Sequence, residues 1–136
     1  MKKKVLFLCT ENSCRSQMAE GILRHFKGDE YDVFSAGTSP SVVNPRAIKV
    51  MAEIGIDISG HKSKSIQEFL GKDFDFVITV CDKVKETCPV FHRGAKHVHW
   101  SFVDPAEASG SEEEVLSIFR RVRDEIELRI QEEFGK

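Results

Sequence analysis

The sequence has 136 residues, a length at which most chains fold as one unit, so we expect a single domain over residues 1–136. It is 40% apolar and 31% charged, an ordinary globular composition, and its longest apolar run, residues 5–9, is far shorter than the roughly 20 residues of a membrane-spanning helix. The 20 basic and 22 acidic residues leave a net charge of −2, which argues against general binding to nucleic acids or anionic membranes.

The basic first residues followed by an apolar run superficially resemble a secretory signal. Such a signal needs an apolar core of about 7–15 residues, and this run stops at Thr10. We therefore interpret residues 5–9 as a first strand and expect the protein to stay in the cytoplasm. In that reducing compartment, four cysteines indicate catalysis, redox chemistry or metal binding rather than structural disulfides.

The hydrophobic pattern predicts strands that alternate with helices along the chain. Short apolar runs predict four strands, at residues 5–9, 31–36, 74–80 and 97–100. Helical periodicity and capping residues predict helices at residues 13–27, 45–54, 65–68 and 111–134.

This alternation favours an α/β fold with a doubly wound, four-stranded parallel sheet in the order 2-1-3-4 and helices on both faces. Ligands of such folds bind beyond the carboxyl ends of the strands, beside strand 1. The loop that follows Cys9 is therefore the expected functional site.

Cys9 and Arg15 flank this loop, between a predicted strand and a predicted helix. The five residues between them can curl so that their backbone N–H groups point inward and bind an anion. These residues are Thr10, Glu11, Asn12, Ser13 and Cys14. The helix N-terminus adds donors, and the planar fork of Arg15 can grip an oxyanion at two points.

The positive field of this loop favours the thiolate of Cys9, to which Ser16 can donate a hydrogen bond. The pattern therefore predicts a cysteine nucleophile that faces a bound tetrahedral oxyanion, phosphate or arsenate. Cys14 lies at the start of the predicted helix, and its side chain is expected to pack rather than to react.

Residues 9–21 resemble the active-site loop of the low-molecular-weight protein tyrosine phosphatase superfamily. They are most similar to its thioredoxin-coupled arsenate reductase branch. The resemblance extends over nearly the whole chain and includes residues 35–37, 55–59 and 103–105. It implies a four-stranded parallel sheet and an oxyanion held by the loop.

The resemblance also implies roles for individual residues. Cys9 would be the nucleophile, Arg15 the oxyanion clamp and Asp104 the general acid, while Asn12 would hold the loop in shape. Asp104 follows the fourth predicted strand, so it should lie at the same edge of the sheet as Cys9, where an acid for the leaving oxygen has to be.

A second cysteine pair, Cys81 and Cys88, follows the third predicted strand. Reduction of As(V) to As(III) takes two electrons from a dithiol, and the arsenate reductase branch is known for such a pair. The resemblance implies that Cys81 and then Cys88 resolve the adduct on Cys9 through successive disulfides. It further implies arsenate as the substrate and thioredoxin as the reducing partner, with glutaredoxin left open. We expect no bound cofactor and a monomer.

A low-molecular-weight phosphatase that hydrolyses phosphomonoesters through a phosphorylated Cys9 is the first alternative. Phosphatases of the superfamily carry tyrosines just after the Asp-Pro pair, whereas residues 106–110 here contain none, and Tyr31 is the only tyrosine of the chain. The pocket is therefore expected to suit a small oxyanion better than phosphotyrosine.

A zinc-binding structural or sensor protein is the alternative of another class. Its ligands would come from Cys81, Cys88, His92, His97 and His99. Six residues separate the two cysteines, more than the usual two to four of a zinc site, which counts against this alternative.

Three residues depart from the pattern of the superfamily. Glu11 stands where many relatives have glycine, and a carboxylate at the rim repels an oxyanion. Relatives that bind potassium near the loop carry threonine and aspartate at the positions of Lys62 and Lys64. An ammonium group there could replace the cation, so we expect similar activity in sodium and potassium salts.

Overall fold

The computed structural model describes residues 2–82 and 94–135. Within these ranges the strands are β1 (Lys3–Cys9), β2 (Tyr31–Gly37), β3 (Phe74–Thr79) and β4 (Gly94–His99). The α-helices are α1 (Arg15–Lys27), α2 (Pro45–Ala52) and α3 (Glu112–Phe134), and two 3-10 helices cover Ile66–Phe69 and Pro105–Glu107. No helix in these ranges is long and apolar enough to cross a membrane.

The strands form one parallel sheet in the order β2-β1-β3-β4, which confirms the predicted order. In the middle of the sheet, Leu8 of β1 pairs with Ala36 of β2 and with Thr79 of β3. The carboxyl ends of β1 and β3 therefore lie side by side. This brings the loop after Cys9 and the residues after β3 to the same edge, where ligands bind in such folds.

Both faces of β1 are buried, as its wholly apolar sequence predicts. Val5 and Phe7 pack with α1, α2 and α3 on one face, and Leu6 and Leu8 pack with the 3-10 helix Ile66–Phe69 on the other. Each of these four side chains is fully buried, which contributes about 1.5–3 kcal/mol per residue. This packing fixes the end of β1, from which the loop starts.

Capping residues begin the helices where the sequence predicted them. Asn44 Oδ1 accepts a hydrogen bond from Arg46 N at 2.9 Å at the start of α2. Ser111 and Glu114 form a reciprocal capping box at the start of α3, and a second box begins the 3-10 helix Ile66–Phe69.

Two predicted boundaries were wrong by more than a residue of fraying. Helix α1 begins at Arg15 rather than at residue 13, because the backbone of Cys14 is not helical (φ −122°, ψ −75°) and its side chain makes no capping bond. Strand β4 begins at Gly94, three residues before the predicted start at His97, because its pairing with β3 begins already at Phe74. The other ends differ by one or two residues.

Candidate active site

Cys9, the last residue of β1, has its thiol buried at the base of the loop that leads into α1. Only 2% of Cys9 is exposed. Its Sγ lies 2.9 Å from Ser16 Oγ and accepts a hydrogen bond from the backbone N–H of Asn12 at 3.2 Å. The thiol is therefore held by the loop and by the first turn of α1, where the helix dipole is positive.

Asn12 keeps this loop in a conformation that most residues avoid. Its φ is +52°, in the left-handed region that asparagine tolerates, and its side chain is fully buried. Asn12 Nδ2 donates to Ser16 Oγ at 2.7 Å, so the hydrogen of the Ser16 hydroxyl is left to point at Cys9 Sγ. The sulfur of Cys9 thus accepts two hydrogen bonds, which favours its thiolate form.

Behind the loop, a chain of hydrogen bonds runs from Asn12 to a half-buried histidine. Gln17 Nε2 donates to Asn12 Oδ1 at 2.8 Å and to the carbonyl of Lys62 at 2.9 Å. Gln17 Oε1 must then accept from His61 Nδ1, at 3.0 Å. Arg24 Nη1, which can only donate, lies 3.3 Å from His61 Nε2. These contacts define a neutral His61 protonated at Nδ1.

The pKa of His61 shifts in the direction that the contacts require. Burial, the largest cause, lowers this pKa, and the charges of Arg24 and Lys64 lower it further against the opposing effect of Glu20. The neutral form that accepts from Arg24 is therefore the stable one near neutral pH.

A buried carboxylate, Glu20, is the charged centre of this network, with 4% of the residue exposed. It accepts a hydrogen bond from Ser35 Oγ and pairs with Arg24 Nη2 at 2.8 Å and with Lys64 Nζ at 3.5 Å. Lys64 Nζ also donates to the carbonyl of Lys62 at 2.8 Å. These cations offset the cost of burying the carboxylate.

The two lysines that replace potassium ligands of relatives differ in their position. Lys64 directs its ammonium group into the network around Glu20, whereas the side chain of Lys62 is exposed and contributes only its carbonyl. Sequence reasoning treated the lysines as a pair and missed Glu20, Gln17 and His61. No spacing in the sequence signals these contacts.

Arg15 and Asp104 face each other beside the loop. The Arg15 side chain is buried; its Nη2 lies 3.7 Å from Asp104 Oδ2, and its Nη1 donates to the carbonyl of Phe102 at 3.2 Å. Asp104 Oδ1 accepts from Ala106 N at 3.0 Å, which fixes the carboxylate at the start of a 3-10 helix. Asp104 therefore lies beside the guanidinium group that would contact an oxyanion.

A small cleft opens between these groups and encloses about 250 Å³, including its open mouth. It is lined by Cys9, Glu11, Ser13, Cys14, Arg15, Asp104 and Ala106. Of the other predicted loop residues, Thr10, Asn12 and Ser16 lie behind this wall and not along it. No aromatic side chain lines the described part of the cleft, so it suits a small oxyanion better than an aryl ester.

Cys14 lines the cleft but is not an activated thiol. Only 3% of the residue is exposed. Burial raises the pKa of Cys14 to about 12, and the charge of Asp104 acts in the same direction. Cys14 is therefore a neutral thiol near pH 7, which agrees with its interpretation as a packing residue.

Cys81 lies two residues after the end of β3 and is fully buried. It is disulfide-bonded, whereas Cys9 and Cys14 are free thiols. Val80 N donates to the carbonyl of Leu8 at 2.9 Å, which continues the pairing of β1 and β3 toward this cysteine. Cys88, the other cysteine of the predicted pair, lies outside the described residues.

The predicted zinc ligands are not brought together in the described part of the chain. His97 is exposed on β4, and His99 Nδ1 lies 2.6 Å from Thr79 Oγ1. Residues 2–82 and 94–135 contain no group of three or more His, Cys, Asp or Glu side chains arranged to hold a metal ion. Cys88 and His92 lie outside these ranges.

A parallel sheet with a Cys-x5-Arg loop at its carboxyl edge defines a class of enzymes that act on bound oxyanions, and comparison with known proteins identifies the family. The profile of the low molecular weight phosphotyrosine protein phosphatase family matches residues 4–134, and the chain belongs to this family.

Similar proteins within the family are arsenate reductases. The arsenate reductase of Halalkalibacterium halodurans is 52% identical over 129 residues, which cover 95% of this chain and 93% of that protein. A solved structure of an arsenate reductase in the reduced state is 37% identical, with a TM-score of 0.79 over 99% of this chain and 98% of that chain. The thioredoxin-dependent arsenate reductase of Corynebacterium glutamicum is 28% identical, with a TM-score of 0.63 over 94% of this chain and 63% of that chain.

Proposed function

We propose that this chain is an arsenate reductase in which Cys9 is the nucleophile and Cys81 and Cys88 are the resolving thiols. The observation that carries the proposal is the placement of Cys9, Arg15 and Asp104 in one small cleft, with Cys81 after the adjacent strand. The similarity to arsenate reductases over nearly the full chain supports the same activity.

In the first step, the thiolate of Cys9 attacks the arsenic atom of arsenate and forms a sulfur–arsenic bond. An arsenic–oxygen bond breaks, and Asp104 donates the proton with which that oxygen leaves as water. Arg15 and the N–H groups of the loop hold the remaining oxygens and stabilise their negative charge. Arsenic remains As(V) in this adduct.

In the second step, the thiolate of Cys81 attacks the sulfur of Cys9 and forms a disulfide. The electron pair of the sulfur–arsenic bond goes to arsenic, which leaves as arsenite in the As(III) state. The two sulfur atoms supply the two electrons, so the step needs no bound cofactor.

The strand register supports a disulfide between these two cysteines. Leu8 lies opposite Thr79, so Cys9 is level with Val80 and Cys81 follows one residue later. Neighbouring strands are about 4.8 Å apart and one residue rises about 3.3 Å, which gives a Cα separation of about 6 Å. A disulfide spans about 4.4–6.8 Å between Cα atoms.

In the last step, Cys88 attacks Cys81 and releases the Cys9 thiol, and thioredoxin reduces the resulting Cys81–Cys88 disulfide. A disulfide-bonded Cys81 beside a free Cys9 is the arrangement expected after this step. The relative named for its thioredoxin dependence supports this reductant, with glutaredoxin as the alternative. The enzyme would act as a monomer in the cytoplasm, where thioredoxin keeps thiols reduced.

Phosphoester hydrolysis is the second candidate function, because it needs only Cys9, Arg15 and Asp104 and these residues meet in the cleft. Ala106 lies where an aromatic wall would hold a phosphotyrosine ring. We therefore expect slow hydrolysis of p-nitrophenyl phosphate and no preference for phosphotyrosine peptides.

The test is arsenate-dependent oxidation of NADPH with thioredoxin and thioredoxin reductase, with a glutaredoxin arm and p-nitrophenyl phosphate in parallel. Cys9→Ser should abolish both activities. Cys81→Ser should release no arsenite, whereas Cys88→Ser should release about one arsenite per enzyme without thioredoxin and stop as a Cys9–Cys81 disulfide. Peptide mass spectrometry identifies that disulfide.

Retained hydrolysis of p-nitrophenyl phosphate in Cys81→Ser and Cys88→Ser is the control that the loop of each variant is intact. Sustained thioredoxin-coupled turnover by Cys88→Ser would contradict the three-cysteine scheme. Phosphoester hydrolysis without any arsenate reduction by the unmodified protein would favour the second candidate function instead.

A further inference from the structure

We propose that Glu11 sets the charge preference of the oxyanion site, so that singly charged tetrahedral oxyanions are favoured over doubly charged ones. The proposal rests on the proposed function in that it concerns the same cleft and names the form of the substrate it selects. It does not depend on the redox steps, because it describes binding alone.

The position of Glu11 at the cleft is fixed by contacts on both its main chain and its side chain. Its carbonyl accepts hydrogen bonds from Ser63 Oγ at 2.8 Å and from Ser41 N at 3.3 Å. Ser41 Oγ donates to Glu11 Oε1 at 3.2 Å. These contacts keep the carboxylate at the mouth of the cleft, which Glu11 lines together with Cys9 and Arg15.

The charges along the cleft are unbalanced. Cys9 as a thiolate, Glu11 and Asp104 carry negative charge, and Arg15 is the one cationic side chain among the described lining residues. Arg15 already lies 3.7 Å from Asp104. In the part of the chain that the structure describes, Glu11 has no ion pair; its side chain is held by the neutral hydroxyl of Ser41.

An incoming anion therefore meets the charge of Glu11 before it reaches Arg15 and the loop. Two unit charges about 6 Å apart in water repel each other enough to weaken binding about threefold. A doubly charged anion experiences twice this repulsion, which is about ninefold, so the preference between the two charge states changes about threefold. The backbone donors of the loop bind both forms and set the overall affinity.

Arsenate is present in both charge states near neutral pH. The carboxylate of Glu11 consequently favours the form with one more proton, which also carries its leaving oxygen as a hydroxyl group. This form needs one proton from Asp104 to lose water, in agreement with the first step proposed above.

The test uses two tetrahedral probes of fixed charge, sulfate and perchlorate, and measures how well each protects Cys9 from alkylation by neutral iodoacetamide at low ionic strength. Glu11→Gln should strengthen sulfate binding about ninefold and perchlorate binding about threefold. Glu11→Asp, which keeps the charge, should retain the preference of the unmodified protein. Glu133→Gln, an exposed change on α3, is the matched control and should alter neither affinity.

A second measurement needs no variant. In the unmodified protein, the ratio of sulfate to perchlorate affinity, corrected for the general effect of salt in Glu11→Gln or, if that variant is unstable, Glu11→Ala, should rise as added sodium chloride screens the carboxylate. An unchanged sulfate-to-perchlorate ratio in Glu11→Gln, or a Glu11→Asp variant that behaves like Glu11→Gln, would overturn the proposal. Failure of this binding test leaves arsenate reduction untouched, and an intact charge preference without arsenate reduction would count against the proposed function alone.

Discussion

Replacement of Asn12 with alanine tests whether one side chain holds the loop around Cys9. Asn12 Nδ2 donates to Ser16 Oγ at 2.7 Å, and Asn12 Oδ1 accepts from Gln17 Nε2 and from Lys64 N, both at 2.8 Å. Each of these bonds contributes about 1 kcal/mol net to stability, and more where the former partner is left buried without a substitute. Their loss should therefore cost about 3 kcal/mol.

The backbone adds a second term to the cost. Asn12 has φ +52°, and this left-handed conformation costs a residue such as alanine about 1–2 kcal/mol. Asn12→Ala should thus lower the free energy of unfolding by roughly 4 kcal/mol in total, a large part of the 5–15 kcal/mol of a typical domain. Asn12→Gly loses the same hydrogen bonds without the backbone strain and should be about 1 kcal/mol less destabilised.

Urea unfolding of the three proteins measures these differences, provided that the slope of the free energy against urea is unchanged. The ultraviolet absorbance of the Cys9 thiolate should also fall in both variants, because the Ser16 hydroxyl is no longer directed at the sulfur. A cost below about 1 kcal/mol for Asn12→Ala, or equal stability of the glycine and alanine variants, would refute this account of the loop.

Three further outcomes are expected. Because burial lowers the pKa of His61, the unfolded chain takes up a proton first as pH falls through the ordinary histidine pKa of 6.5, so stability should fall there and His61→Gln should lose that part of the pH dependence in urea unfolding. Because Lys64 Nζ lies beside Glu20, turnover should be equal in sodium and potassium salts, and Lys64→Met should melt at a lower temperature; a selective gain with potassium in the unmodified protein would contradict this. Because the hydrogen bonds of Arg120 lower the pKa of Glu53, Glu53→Gln should destabilise the protein by less than about 1 kcal/mol near neutral pH, and thermal unfolding should show this difference vanishing in acid.

The sequence predicted the sheet and its order because each rests on a local signal. Apolar runs mark strands buried on both faces, and alternation with helices leaves few possible topologies. The start of α1 at Arg15 was missed because Ser13 and Cys14 fit the helical period, while tertiary contacts of Asn12 keep them in the loop. Periodicity reports which face of a helix is buried and carries no information on which polar groups meet there.

The candidate site was predictable in its outline for a related reason. Cys9, Arg15 and Asp104 all lie at the carboxyl edge of the sheet, and the topology alone brings that edge together. The contacts of Gln17 with Lys62 and His61 join residues 44 or 45 positions apart through side-chain hydrogen bonds, for which the sequence has no signature. Their discovery required the folded chain.

The polar groups behind the loop explain why a site with so much negative charge at its mouth can hold an anion. Each donor of the chain from His61 through Gln17 and Asn12 to Ser16 has its acceptor fixed by the preceding bond, so the donors point toward Cys9 before any ligand arrives. Their orientation costs nothing at the moment of reaction, because it is supplied by folding. Folding bears the cost of burying these groups, and the apolar packing of β1 on both faces offsets it. Substitutions in the network should therefore lower stability and thiolate content together, whereas substitution of Glu11 at the rim should change charge preference without lowering stability.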